Sequence, residues 1–174
     1  AGQYRHLMRA LFASLALLGL SACGLQPMYA GGGNGAVAQG LAAVEVPAIP
    51  GRAGWLVRNE LVDRLGAGGN APARYRLDVR LDDQLEGLGV LGDDTVSRER
   101  RTLRARYMRV DVSNGEILLD APAGSDAGIY VVSSEYAVIA AEQTALENLS
   151  REVADRIVAR IALRLREGPA RVGE

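Results

Sequence analysis

The side chains best equipped for chemistry in this sequence are arginines. All twenty basic residues are arginine, and Arg98, Arg100, Arg101, Arg104, Arg106 and Arg109 crowd into one short stretch. A guanidinium offers a planar fork of donors that matches a phosphate or carboxylate two bonds at a time. On a strand, successive side chains alternate between faces, so Arg98, Arg100, Arg104 and Arg106 would share one face. Such a row suits a multiply phosphorylated, acidic ligand, which makes Arg98, Arg100, Arg101, Arg104 and Arg106 the candidate binding set. The row equally suits a solvated face that blunts a sheet edge, and the sequence leaves both uses open.

Catalytic chemistry has little to work with. His6 is the sole histidine, Cys23 the sole cysteine, and lysine is missing. His6 lies in a segment expected to be removed and Cys23 is expected to be acylated, so no nucleophile–base pair of the Ser-His or Cys-His kind can form in the mature chain. A zinc site built on His or Cys is excluded for the same reason. Asp82, Asp83, Glu86, Asp93 and Asp94 could hold calcium or act as an acid pair, but adjacent acids on a strand alternate faces and EF-hand spacing is missing. They read as solvated acids. Gly87 to Gly92 fits G-x-G-x-x-G, yet Asp93-Asp94 and a charged strand follow where a dinucleotide site needs a helix N-terminus. A glycine-rich hairpin loop is the better reading, and no metal or dissociable cofactor is expected.

The N-terminus reads as targeting sequence. Arg5 and Arg9 precede an apolar run from Ala10 to Leu20, then come small residues and a cysteine, Leu20-Ser21-Ala22-Cys23. The run is shorter than the roughly 20 residues a membrane-spanning helix needs, so residues 1–22 are expected to be a signal peptide. Cys23 is the predicted lipidation site, carrying a covalent diacylglycerol and acyl chain as a membrane anchor. With one cysteine, no intramolecular disulfide can staple an exported domain, which must hold together by packing. Losing Arg5 and Arg9 takes the formal charge from −1 to −3, which gives no electrostatic case for nucleic acid.

Behind the anchor, residues 23–40 are glycine-rich and read as a tether reaching roughly 20–25 Å. The folded domain is expected over 41–168, followed by a tail at 169–174. Leu41–Val46 reads as a short strand stopped by Pro47 and Pro50. Trp55–Leu65 reads as a helix burying Val57, Leu61 and Leu65 and ended by Gly66. From Tyr75 the period becomes two, with Leu77, Val79 and Leu81 alternating with charged residues. Thr102–Val112 is a further strand whose apolar phase changes, which a bulge near Met108 would explain. Asn114-Gly115 signals a hairpin into Glu116–Leu119, and Pro122, Gly124 and Gly128 read as loop. A last helix spans Ser134–Arg166 with a stripe at Ile139, Leu146, Leu149, Val153, Ile157, Ile161 and Leu165. Arg156, Arg160 and Arg164 look like its wet face. The order β-α-β-β-β-α, each helix apolar on one side, predicts an α+β two-layer sandwich with two helices on one face of a four-stranded sheet.

Taken together, these fragments resemble the LPS-assembly lipoprotein family, the LptE proteins, in particular an alphaproteobacterial branch. The likeness rests on Cys23-Gly24-Leu25-Gln26-Pro27-Met28-Tyr29, Arg58-Asn59-Glu60-Leu61, the Leu103–Tyr107 strand with Asn114-Gly115, Tyr136-Ala137, and Ala140-Ala141-Glu142-Gln143. The resemblance implies a non-catalytic outer-membrane lipoprotein at the periplasmic face, lodged in an LptD-like β-barrel as plug and assembly factor and binding lipopolysaccharide. Two other readings compete with it: a lipoprotein accessory of a phospholipid transport system, and an envelope hydrolase. Co-purification with a transporter component would favour the former. Turnover lost on mutating a carboxylate would favour the latter.

Overall fold

The computed structural model describes residues 35–66, 72–90 and 96–167. The expected signal peptide, Cys23, the tether up to residue 34, the 91–95 segment with Gly92, Asp93 and Asp94, and the tail after Glu167 lie outside those residues. Seven elements follow in chain order: α1 (Ala36–Ala42), β1 (Val44–Glu45), α2 (Gly51–Leu65), β2 (Tyr75–Val90), β3 (Val96–Asp111), β4 (Ile117–Tyr130) and α3 (Glu135–Glu167). The four strands form one sheet in the order β1-β2-β3-β4. β1 runs parallel to β2, and the remaining pairs are antiparallel. The expected α+β layout and its β-α-β-β-β-α order are therefore present, with α1 added in front.

Length matching explains the two-layer form. At about 3.3 Å per strand residue and 1.5 Å per helix residue, a 16-residue strand and a 33-residue helix both span about 50 Å. α3 can thus cover β3 and β4 for most of their length. One side of the sheet supplies Leu77, Leu103, Ala105, Tyr107, Leu119 and Ala121; α3 answers with Leu146, Leu149, Val153, Ile157 and Ile161. α2 closes the core with Val57, Leu61 and Leu65. Gly66, in the left-handed conformation at φ 66°, ends α2 with its N–H on the Val62 carbonyl.

Several boundaries differ from the sequence reading, each for a physical reason. Only Val44–Glu45 of the expected Leu41–Val46 strand is strand, because Leu41 belongs to α1, a helix that takes in the end of the supposed tether. Leu41 is buried there, and Gly40 leaves room for the Leu165 side chain, which would stand 3.0 Å from a Cβ at that position. α2 starts at Gly51, where a positive φ of 81° turns the chain in from Pro50. β2 runs through Gly87 and Gly89 to Val90, so the expected glycine loop is strand as far as Val90. Pro122, Gly124 and Gly128 likewise sit within β4, which is an edge strand and tolerates a proline without a donor. The predicted bulge near Met108 does not occur in β3, which keeps one register against β2 throughout. The irregularity is in β4: Arg109 faces Leu119 while Val110 faces Ile117, leaving Leu118 over.

Candidate functional site

Among the described residues, no helix or strand lies over the second face of the sheet. The register places Arg98, Arg100, Arg104 and Arg106 of β3 on this open face, in line with the parity argument. Arg101 does not join them. It points to the helix side, donating to the Asp83 carboxylate at 2.9 and 2.7 Å and to the Glu142 carbonyl at 3.1 Å, and so locks the sheet to α3. The pairing with Asp83 raises its pKa. Arg109 is also on the helix side, buried, with its Cζ 4.8 Å from the Tyr75 ring centroid.

Within the open-face row each arginine has a distinct setting. Arg98 lies over Tyr130 at 5.1 Å, the distance of a cation–π contact. Arg100 stands opposite Glu86, and Arg104 opposite Asp82. Arg106 faces Arg80 across β2 and pairs instead with Asp120 at 2.8 Å, which raises its pKa. Arg76 and Asp78 add an ion pair on β2 at 2.9 Å. The acids read from the sequence separate as alternation requires: Asp82 and Glu86 are on the open face, Asp83 on the other. Six arginines (76, 80, 98, 100, 104, 106) and six acids (45, 78, 82, 86, 120, 126) make the face a mosaic with no net formal charge.

The fragments that carried the resemblance have structural work to do. Arg58 donates to the Val46 carbonyl at 3.0 Å, tying α2 to the segment after β1, while Leu61 is buried. Glu60 pairs with Arg64, which also reaches Asp155 and clamps α2 to α3. Asn114-Gly115 sits in the turn where Gly115 N–H meets the Asp111 carbonyl at 2.8 Å, with Gly115 at φ 75°. Glu142 supplies the carbonyl that receives Arg101. Tyr136 is exposed, as is Ile139, so the buried stripe of α3 begins at Ala145 rather than at Ile139.

The protein-family model described as "LptE: Lipopolysaccharide-assembly" matches residues 41–161. The chain belongs to the LptE family. Its α+β architecture recurs in solved structures from three bacteria. A protein from Caulobacter crescentus CB15 assigned as a lipoprotein shares 26% identity at a TM-score of 0.66, covering 76% of this chain and 97% of its own. A minor lipoprotein of Acinetobacter baumannii (16% identity, TM-score 0.52) covers 69% of this chain and 90% of its own. The rare lipoprotein B of Shewanella oneidensis (12%, TM-score 0.53) covers 69% and 92%. These last two share the fold. No curated protein matches. The LptE match spans every strand and both long helices up to residue 161, so the open face and its arginines lie inside the family domain. Among the described residues no helix is long and apolar enough to cross a membrane.

Proposed function

We propose that this LptE-family chain is a lipid-anchored outer-membrane subunit of the lipopolysaccharide translocon, plugging and helping to assemble a β-barrel partner and binding lipopolysaccharide. The observation that carries the reading is the uncovered face of a 50 Å sheet, built of alternating guanidiniums and carboxylates instead of a second apolar layer. Outer-membrane barrels have polar interiors, and a hydrated, charge-mosaic surface can sit against such a wall without desolvating a greasy patch. The family's description as lipopolysaccharide-assembly supports the ligand. Arg98 and Arg100 lack ion-pair partners among the described residues and have forks to offer phosphates. The role needs no catalytic residue, in keeping with the lack of lysine and of any histidine or cysteine beyond His6 and Cys23.

The test is purification of the tagged, lipidated chain from outer membrane in mild detergent, with the captured protein identified. The expected outcome is a large β-barrel, together with misassembled barrel and loss of surface lipopolysaccharide on depletion. Arg98→Glu with Arg100→Glu should weaken lipopolysaccharide binding with circular dichroism unchanged. Capture of a transporter's substrate-binding component with normal surface lipopolysaccharide would put the phospholipid-accessory reading in its place.

A further inference from the structure

Arginines from both layers of the domain meet at the free edge of β4. A cleft of about 480 Å³ there is lined by Arg104 of β3 and by Arg156 and Arg160 of α3, with Tyr107 and small β4 residues around Gly124. Arg156 and Arg160 are four apart, so they project from the same side of the helix. Arg104 comes from the opposite face of the sheet, and Gly124 is what lets it through. A Cβ at 124 would stand 2.7 Å from Arg104 Cδ and 2.9 Å from its Nη1.

The polar partners around the cleft leave most of its positive charge unanswered. Arg156 donates through Nη1 to the Gly124 carbonyl and through Nη2 to Ser125 Oγ at 3.5 Å, which fixes its fork at the rim. The nearest carboxylate, Glu152, is 3.9 Å from Arg156 and accepts from Ser125 Oγ. Arg104 and Arg160 have no hydrogen-bond or ion-pair partner among the described residues. No carboxylate lines the cleft. Tyr107 brings no negative charge either, because burial raises its pKa further than Arg160 lowers it. Three guanidiniums answered by a single carboxylate, Glu152 at the rim, keep a net positive charge and repel one another, and an oxyanion relieves that repulsion while using their paired donors.

We propose that this cleft is an anion site for a phosphate monoester, whether on a lipid headgroup or as free inorganic phosphate. Three monocations favour a dianion over the single charge of a phosphodiester. A cleft of this size has room for the group that carries the phosphate. The proposal does not rest on the barrel reading, since it needs no partner and uses residues outside the Arg98–Arg100 end of the open face.

The experiment uses the intact lipidated chain in neutral-detergent micelles at low ionic strength, following the 31P resonance of added inorganic phosphate. In parallel, the phosphatidic acid or phosphatidylglycerol resonance is followed in the same micelles. Saturable binding of phosphate or of phosphatidic acid is expected, with phosphatidylglycerol silent. Arg160→Gln should weaken it about tenfold, the loss of one charge-assisted hydrogen-bonding group. Gly124→Ala keeps every charge and should weaken it too, because the new Cβ displaces Arg104. Arg52→Gln, at an exposed arginine of α2 that does not line the cleft, should leave it unchanged. A response to phosphatidic acid alone assigns the site to a lipid headgroup, and a response to both assigns it to the phosphate itself. The proposal is overturned if neither monoester binds, if phosphatidylglycerol binds as well, or if the Arg160 and Gly124 variants behave as wild type. It is equally overturned if Arg52→Gln loses as much as Arg160→Gln.

Discussion

Replacing Arg109 with methionine should make the domain more stable, against the habit of treating a buried arginine as an anchor. Arg109 is 6% exposed, and its Nε and Nη1 are buried with no hydrogen-bond partner among the described residues. Burial pushes its pKa down, and Arg164 adds to the effect, with Tyr75 and Asp111 only partly opposing them. What it gains is the stack of its Cζ at 4.8 Å from the Tyr75 ring. Each buried, unpaired donor costs about 1–3 kcal/mol, and a desolvated cation–π contact returns about 2. Methionine is unbranched and adaptable, so repacking costs less than about 1.5 kcal/mol. Taking the middle of each range, Arg109→Met should gain about 1 kcal/mol, or about 3–5 °C in Tm for a domain of this size. Urea unfolding of the mature chain measures it directly, and the double-mutant cycle with Tyr75→Leu isolates the stacking contribution. A loss of more than about 1 kcal/mol, with a coupling to Tyr75 near zero, would refute the reasoning, because the cation would then be satisfied by something other than the ring.

Two further outcomes follow from single positions. Cys23→Ala should leave an uncleaved, unacylated precursor, since acylation needs the thiol; mass spectrometry of the membrane-extracted chain decides it, and recovery of an acylated mature chain would contradict the anchor assignment. Gly54→Ala should destabilise α2 by at least about 1 kcal/mol although alanine is the better helix former by about that much, because its Cβ would fall 2.4 Å from the Ile49 carbonyl oxygen; a rise in the urea midpoint would contradict the packing argument.

How far the sequence spoke for the fold depended on whether burial and pattern coincided. Val57, Leu61 and Leu65 repeat every four residues on a helix half in water, and that face is the one buried. Asn114-Gly115 carried its own backbone signal. Beyond Leu81 the pattern faded, because the outer half of the β2–β3 hairpin leaves the core: Leu85 is 44% exposed, and Gly87 and Gly89 look like loop while lying within β2. β3 misled differently. Arg109 and Val110 are both buried, at 6% and 8%, on opposite faces, so the hydrophobic phase flips without any bulge in that strand. α1 was illegible because its helical residues are mostly small and Gly40 packs against a side chain 125 residues away, at Leu165. The arginine row was half legible: parity correctly joined Arg98, Arg100, Arg104 and Arg106, while Arg101 needed its alternation taken seriously. The cleft at the β4 edge went unseen. Arg156 and Arg160 were at visible helical spacing, but nothing local announces that Gly124 admits Arg104 beside them.

The two arginine groups differ in what kind of recognition they can perform. On the open face six guanidiniums face six carboxylates, and Arg76–Asp78 and Arg106–Asp120 are already paired. Such a mosaic projects little field, and what there is fades within about 10 Å at 0.1 M salt. It is poorly suited to capturing an anion from solution and better suited to short-range, two-bond contacts with a ligand brought to it. The proposed barrel lumen would deliver a ligand in that way, with confinement supplying the local concentration that long-range attraction would otherwise have to supply. The cleft at the β4 edge is the reverse case, with three guanidiniums and no lining carboxylate. Its attraction is net electrostatic and therefore salt-sensitive, whereas the open face depends on geometry. A single domain thus carries one surface that tolerates close, hydrated contact with a polar wall and one small site whose unbalanced charge calls for an anion.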